Sequence, residues 1–286
     1  MEMLREASES DTPVNVVILA GGLNTIPLYD GYVPGPKALI SYEGKPSIEY
    51  VLDALCAAPG IGQICIEGPR ALLQEALSNR VTTQAQGRLA FVEGGATFPD
   101  SLVIGLEHFR SSRSVLFVTA DLPLLTPQAV TDFLGGCAAT TTTRKQNIHV
   151  AAVPQAAYTG EYRNATKPFN RYRDIHVCHG NLFRVDTALL NNHDIRKRVA
   201  TMYDGRKSGL SRLAFGWHIA LTYLIGVDLL HVLTLRYMAE IASRFLGVGI
   251  IPVLVSHPEI TMDVDEADDY RFVQDRLRRP LESVPK

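Results

Sequence analysis

Cysteine is scarce in this chain of 286 residues, which contains only four, at widely and irregularly spaced positions. They are Cys56, Cys65, Cys137 and Cys178, and no two of them form a C-x-x-C pair. This spacing indicates neither a zinc ribbon nor a disulfide framework. Because disulfide frameworks belong to oxidising compartments, we expect a cytoplasmic protein.

A surplus of positive charge is also missing. The 28 lysines and arginines face 30 acidic residues, so the formal net charge is −2. Proteins that bind nucleic acid usually carry a basic excess or stripe, and we therefore expect no nucleic-acid partner. Hydrophobic residues make up 46% of the chain, which supplies enough apolar surface for a large core and excludes disorder for most of it.

The sequence has no charge-free apolar run that is long enough to cross a membrane. Its most apolar stretch, 213–235, is interrupted by a tryptophan, two histidines and an aspartate, so we expect no spanning helix. Residues 1–13 lack the basic and apolar regions of a signal peptide and are interpreted as a disordered lead-in. Because repeats and Pro- or Ser-rich linkers are absent, residues 14–286 are predicted to form a single domain.

The hydrophobic pattern of the first half alternates between strands and helices. Apolar, β-branched runs predict strands at 14–20, 63–67, 89–92 and 114–120. Helical spacing predicts helices at 47–58, 70–77 and 102–109, and a fourth helix that begins at Pro127. Asp100 or Ser101 is the predicted cap of the helix at 102–109. Right-handed crossovers then give an α/β fold, a mostly parallel twisted sheet with helices on both faces.

The second half continues the sheet and adds helix. Strands are predicted at 148–153, 177–185 and 249–255, an extended piece at 262–264 and a closing helix at 266–277. Residues from about 190 to 246 are predicted to be a mostly helical insertion. Its large apolar side chains predict packing on the core or on a second subunit of a homodimer; contact with a membrane surface is the less favoured alternative.

Two motifs of the first half could contact an anion. Glycines directly after the first strand, at Gly21 and Gly22, let backbone N–H groups approach a ligand, although a tight turn would also explain them. The spacing of a P-loop or a dinucleotide fingerprint is absent. Lys37, in PGPKALI, could direct an ammonium group at a phosphate, or be an ordinary exposed lysine.

Two acidic motifs could hold a metal ion. Asp121 follows a predicted buried strand, and ligands of open α/β sheets bind outside the carboxyl ends of strands. In TMDVDEADDY, Asp263 and Asp265 share one side if the segment is extended. Carboxylate oxygens suit Mg²⁺, and we predict that Asp121 and Asp265 lie about 4–6 Å apart. A turn-forming aspartate and a helix cap are the alternatives.

The order of the motifs is more specific than any one of them. Along the chain the runs are VVILAGG, PKALI, EGGATFPDSLVIGLEHF, FVTADLPLLTP, HGNLFRVD and DVDEADDY. In this order they resemble the MobA-like nucleotidyltransferase family, which has a GT-A-type α/β fold. The resemblance covers about 14–185 and 248–278, and the stretch between them is longer than the usual family core.

The resemblance implies roles for individual residues. The implied nucleotide-binding residues are Ala20, Gly21, Gly22, Leu23, Asn24, Gly94, Gly95 and Ser101. The implied catalytic residues are Lys37, Asp121 and Asp265, of which the two aspartates would bind Mg²⁺, with Asp263 as the fallback ligand. Gly180 and Asn181 match the segment that lines the acceptor side.

One departure from the family pattern concerns an arginine. Family members often read A-G-G-x-x-x-R, but the stretch AGGLNTIPLYDG has no basic residue before Lys37. A triphosphate would then lack a cation that offsets developing charge. The basic segment with Arg163, Lys167, Arg171 and Arg173 is predicted to supply it, with Arg171 and Arg173 binding the acceptor.

The resemblance implies an enzyme that moves a nucleoside monophosphate from an NTP to a small phosphorylated acceptor. The acceptor would be similar to a sugar phosphate or a molybdopterin, and pyrophosphate would leave. A GT-A glycosyltransferase that uses a nucleotide sugar is one alternative, because DVD fits its D-x-D motif; its position near the C-terminus argues against this. A non-catalytic nucleotide-binding protein is the other alternative, because of the missing arginine.

Overall fold

The computed structural model describes residues 12–78, 85, 87–140, 142, 144–192 and 232–278. Its centre is a mixed sheet whose strands are, in spatial order, β12 (Gly249–Leu254), β9 (Asn147–Pro154), β11 (His176–Asp186), β8 (Ser114–Thr119), β1 (Val14–Leu19), β6 (Ile61–Gly68) and β7 (Leu89–Glu93). A further strand, β10 (Asn170–Arg171), pairs with β11. Neighbours pair in parallel except at β11, which runs antiparallel to both β8 and β9. The strands other than β11 therefore end on one side of the molecule.

The strands of the central sheet are mostly apolar, and their lengths range from two residues in β10 to eleven in β11. Two small hairpins lie between β1 and β6, formed by β2 Leu23–Asn24 with β3 Gly35–Pro36, and β4 Ser41–Tyr42 with β5 Lys45–Pro46.

Six α-helices are described, and they cover both faces of the sheet. They are α1 Ser47–Ala57, α2 Arg70–Leu77, α3 Phe98–His108, α4 Pro127–Ala139, α5 Leu235–Leu246 and α6 Ala267–Arg278. The buried side chains of α1, α2, α4 and α6 join one apolar cluster with alternate strand residues such as Val16 and Ile18. Val17 points to the other face, where residues of α3 and the end of α5 pack. The two-sided core that the apolar strands predict is confirmed.

The start of α3 corrects one prediction. The helix begins at Phe98, and its cap is Thr97 rather than Asp100 or Ser101. The Thr97 hydroxyl accepts from the Asp100 N–H at 3.3 Å, while the Asp100 carboxylate accepts from the Thr97 N–H at 3.1 Å. This reciprocal capping box satisfies two N–H groups that a helix end leaves free, so the helix begins four residues before the predicted start at residue 102.

The segment after β12 differs in part from the prediction. Residues 258–261 form a 3₁₀ turn that the sequence pattern did not predict, and residues 262–264, predicted as an extended piece, follow it without joining a described strand. Most of the predicted insertion, 193–231, lies outside the described residues, but its end is helical, as α5. None of the helices in the described ranges is long and apolar enough to cross a membrane.

Candidate active site

Three carboxylates meet where β8 and the turn after β12 end. Single oxygens of Asp121, Asp263 and Asp265 lie within 4.8 Å of one another. The predicted closeness of Asp121 and Asp265 is therefore confirmed, although Asp265 follows a 3₁₀ turn and not a strand. Oxygen ligands at this spacing fit the coordination that Mg²⁺ requires.

Buried hydrogen bonds hold the two acidic segments in place. The Ser47 hydroxyl, at the start of α1, donates to the carbonyl of Ala120 at 2.9 Å, next to Asp121. The Thr126 hydroxyl donates to the Glu259 carboxylate at 2.9 Å and so connects the start of α4 with the 3₁₀ turn. The positions of the carboxylates are thus fixed from outside the cluster.

Lys37 bridges two of the carboxylates. Its Nζ donates to Asp121 at 3.1 Å and also to Asp265. Burial alone would lower the pKa of this ammonium, but attraction to Asp121 and hydrogen bonding to Asp265 outweigh burial and raise the pKa above its ordinary value. Lys37 is therefore a fixed cation between Asp121 and Asp265.

Lys167 is the second cation at the cluster. Its Nζ lies 3.2 Å from a carboxylate oxygen of Asp263, 2.8 Å from the Asp263 carbonyl and 3.1 Å from Asp269. Burial opposes its charge, but the two aspartates raise the pKa of Lys167 overall. For Asp263, burial is the main influence and raises the pKa of the carboxyl, with Lys167 acting against it. Lys167 thus faces the carboxylate that Lys37 does not bind.

The glycine turn lies open beside Lys37. Gly21 and Gly22 are exposed, and neither adopts a positive φ. The backbone angles of this turn therefore do not require glycine. A Cβ on Gly21 would meet no atom within 4 Å. A Cβ on Gly22 would lie 3.6 Å from the Lys37 side chain, and the Lys37 N–H donates to the Gly22 carbonyl at 2.9 Å. This backbone is accessible to a ligand that also contacts Lys37.

A buried glutamate sits where β6 ends, beside the predicted base and ribose segment. Glu67 is 1% exposed; one carboxylate oxygen accepts from the Gly95 N–H at 3.2 Å, and the other has no hydrogen-bond partner in the described part of the chain. Burial raises the pKa of Glu67 to about 7, although Ser101 and Gly95 act in the opposite direction. The strand ends are tightly packed here, since a Cβ on Gly68 would come within 2.8 Å of Ala20.

The residues expected on the acceptor side are spread along β10 and β11. Arg171 and Arg173 are exposed, whereas Asn181 donates to the carbonyl of Ile260 at 3.5 Å. The pairing of β11 with β9 shifts register between His179 and Phe183, and a Cβ on Gly180 would come within 2.5 Å of Ile260. This irregular part of β11 packs against the turn that leads to Asp263.

A cavity of about 350 Å³ adjoins the cluster and extends between α6 and the segment before β10. Its lining includes Lys167, Asp263, Asp269 and Phe272. It therefore shares one carboxylate and one cation with the cluster and offers space for a small molecule beside them.

Comparison with known proteins identifies the family. No curated protein matches the chain. A family model described as the MobA-like NTP transferase domain matches residues 16–175, more than half of the chain. The chain belongs to the MobA-like NTP transferase domain family. It is a nucleotidyltransferase, as the order of its motifs predicts.

Solved structures share the fold of this chain. A hypothetical transferase from Thermus thermophilus is 27% identical, with a TM-score of 0.67, and the match covers 90% of this chain and 99% of that one. A 4-diphosphocytidyl-2C-methyl-D-erythritol synthase from Anaerococcus prevotii is 14% identical, with a TM-score of 0.53 and coverages of 94% and 97%. A CMP:2-keto-3-deoxy-manno-octonic acid synthetase complexed with CTP is also 14% identical, with a TM-score of 0.55 and coverages of 93% and 98%. The last two share the fold of this nucleotidyltransferase.

The structure shows what stands in place of the arginine in the transferase's glycine turn. Counting along A-G-G-x-x-x-R, the arginine position is occupied by Ile26, whose surface is 50% exposed. From the predicted basic segment, Lys167 is at the carboxylates, while Arg163, Arg171 and Arg173 are exposed. The transferase thus keeps two lysines at the cluster.

Two residues of the transferase site escaped the sequence-based prediction. Glu67 lies at the carboxyl end of buried strand β6, and Asp121 lies just after buried strand β8, so the same rule about strand ends could have found Glu67. Asp269 accepts from the N–H groups of Asp265 and Glu266, both at 3.2 Å, and pairs with Lys167. An acidic residue near a helix start is a common cap, and only its long-range partner makes it part of the site.

Proposed function

We propose that the protein transfers a nucleoside monophosphate from an NTP to a small phosphorylated acceptor, with release of pyrophosphate. The observation that carries this proposal is the cluster of Asp121, Asp263 and Asp265 beside Lys37 and the open glycine turn. The backbone of residues 20–24 and the Lys37 ammonium would bind the phosphate oxygens. The segment with Gly94, Gly95 and Ser101, next to Glu67, would accommodate base and ribose.

A magnesium ion fits the donors at this site. Asp121 and Asp265 would hold it, with Asp263 as a nearby third carboxylate, and all three offer the hard oxygen ligands that Mg²⁺ prefers. When bound, Mg²⁺ supplies positive charge against the triphosphate. Lys37 and Lys167 then carry the remaining fixed positive charge that the absent arginine would have given.

The reaction needs positioning more than acid–base groups. An oxygen of the acceptor phosphate attacks the α-phosphorus, the new P–O bond forms, and the bond to the bridging oxygen breaks with its electron pair leaving on pyrophosphate. Because the attacking phosphate is already anionic, no general base is required. Alignment of the two phosphates by fixed cations accounts for most of the acceleration. Arg171 and Arg173 are the proposed cations for the acceptor.

Pyrophosphate release tests the proposal. The purified protein is assayed with CTP, GTP, UTP and ATP, each with Mg²⁺ and a panel of sugar phosphates and other small phosphate monoesters. We expect release with one NTP and one acceptor class. Asp121→Asn is expected to lower the rate by about 100-fold or more, and Lys37→Ala to weaken NTP binding by about 1.5–3 kcal/mol.

Lys45→Ala provides a matched control for Lys37→Ala. Lys45 also forms an ion pair with an aspartate, Asp53, but near the start of α1 and outside the cluster. Lys45→Ala should leave pyrophosphate release unchanged.

Substituting Arg171 and Arg173 together by Ala should weaken acceptor binding without affecting NTP binding.

Two outcomes would replace the proposal with its alternatives. NTP binding without pyrophosphate release from any acceptor would indicate a non-catalytic nucleotide-binding protein. Transfer of a sugar from a nucleotide sugar, with no use of an NTP, would indicate a GT-A glycosyltransferase.

A further inference from the structure

The Asn24 side chain is buried, although Asn24 lies only two residues after the exposed Gly22. It is 3% exposed and lies in β2, whose partner strand β3 leads straight to Lys37. Buried amides are retained where their hydrogen bonds are made, so the partners of this one define what it does.

The two ends of the Asn24 amide contact two different segments. Its oxygen accepts from the N–H of Ile26 at 2.7 Å, which closes a local turn. Its nitrogen donates to the backbone carbonyl of Asp265 at 3.3 Å, across 241 positions of sequence. The amide therefore connects the nucleotide-side loop with the acidic segment.

The backbone of Asp265 is held from both sides. Its carbonyl receives the Asn24 amide, and its N–H donates to the carboxylate of Asp269 at 3.2 Å. The Asp265 side chain is 57% exposed, so packing does little to fix it. The place of its carboxylate opposite Lys37 and Asp121 is therefore set largely through the backbone.

We infer that Asn24 is a positioning residue that sets the spacing between the glycine turn and the metal-binding carboxylate of Asp265. This inference rests on the proposed function, since it assigns Asn24 to the same site. The amide oxygen holds the local turn through the Ile26 N–H, and the amide nitrogen connects the loop to the Asp265 carbonyl. An aspartate at this position would retain the first contact and lose the second.

Asn24→Asp is the variant that separates the two contacts. Its carboxylate can still accept from Ile26, but it would face the Asp265 carbonyl without a proton to donate. Asn15→Asp is a matched control, because the Asn15 amide also bridges two segments, with its oxygen 2.8 Å from the Gln63 N–H and its nitrogen 2.9 Å from the Ser112 hydroxyl. These contacts lie near the beginnings of the strands, away from the carboxylates.

Binding of Mn²⁺ alone, followed by electron paramagnetic resonance, is the primary measurement. We expect Asn24→Asp to weaken Mn²⁺ binding by about 10-fold or more, the usual effect of removing a group that orients a metal ligand. Asn15→Asp should bind Mn²⁺ as the unmodified protein does, even if both variants unfold at a lower temperature. The Mg²⁺ concentration for half-maximal pyrophosphate release should rise in parallel for Asn24→Asp only.

Equal Mn²⁺ affinity in Asn24→Asp and the unmodified protein would overturn the inference and leave the proposed function intact. If the unmodified protein binds neither Mn²⁺ nor any NTP, the proposed function fails first and the inference falls with it. Should Asn24→Asp not fold, Asn24→Ser replaces it, because its hydroxyl can serve the Ile26 N–H while being too short for Asp265.

Discussion

Ionisation of the Glu67 carboxylate opposes folding. This carboxylate is almost fully buried, receives one backbone N–H and faces no described cation, so its charged form is poorly solvated. Its pKa is raised to about 7 in the folded protein. The folded chain therefore binds this proton more tightly than the unfolded chain does, so the contribution of Glu67 to stability is full below about pH 4.5 and is lost as the pH rises through about 7.

Replacement of Glu67 by Gln should stabilise the protein in a pH-dependent way. Glutamine keeps an oxygen for the Gly95 N–H but removes the charge. The free energy of unfolding should increase by up to about 3 kcal/mol at pH 8 and by less than about 1 kcal/mol at pH 5. Urea unfolding at both pH values measures this, with Glu93→Gln as the control because Glu93 is exposed at the end of the neighbouring strand. An equal effect at both pH values would contradict the pKa argument.

Two adjacent glycines of α4 show how closely this helix packs on the sheet. A Cβ on Gly135 would meet nothing within 4 Å, whereas a Cβ on Gly136 would collide with the side chain of Val253 in β12. Both lie in the interior of a helix, where glycine costs stability relative to alanine. The difference between them is therefore a difference in packing alone.

The two alanine substitutions should have effects of opposite sign. Gly135→Ala is expected to raise the free energy of unfolding by about 0.5–1 kcal/mol, because alanine loses less backbone freedom on folding. Gly136→Ala is expected to lower it by about 1–3 kcal/mol, because the added methyl group must displace β12 or Val253. Thermal unfolding of both variants in parallel measures the pair. A stabilised Gly136→Ala would show that α4 is not in direct contact with β12.

Elements with a strong local pattern could be predicted from the sequence. The helix at Arg70–Leu77 begins and ends where its apolar spacing predicts, and the buried strands β1 and β8 are recognisable from their β-branched runs. The start of α3 could not be predicted from apolar spacing alone, because a capping box and Pro99 extend the helix beyond its apolar stretch. The 3₁₀ turn at residues 258–261 could not be predicted either, because it is held by a long-range contact, the hydrogen bond between Thr126 at the start of α4 and Glu259.

For the whole molecule, the prediction that Asp121 and Asp265 lie close together was right, although the rule about strand ends applies to Asp121 and not to Asp265, which follows a 3₁₀ turn. The rule could not say that Lys37 would lie between them, because that contact joins residues 228 positions apart. Nor could it distinguish Lys167 from the three arginines near it in sequence. The difference lies in burial, since Lys167 is enclosed with Asp263 and Asp269 while the arginines are exposed. Which cation reaches a site is decided by long-range packing.

The place of β11 between β8 and β9 has a consequence for fragments of the chain. The family match ends at residue 175, before β11 begins, so a fragment cut there would leave β8 with an open side and β9 without either of its partners. Unpaired strands of this kind are templates for intermolecular pairing. We expect fragment 1–175 to aggregate and to lack cooperative unfolding. Fragment 1–278, which retains every described strand, should stay dispersed. Light scattering measures the aggregation of the two fragments, and circular dichroism measures their unfolding. A monomeric, cooperatively folded 1–175 would refute this. The stretch that identifies the family by sequence is thus expected to be too short to fold independently.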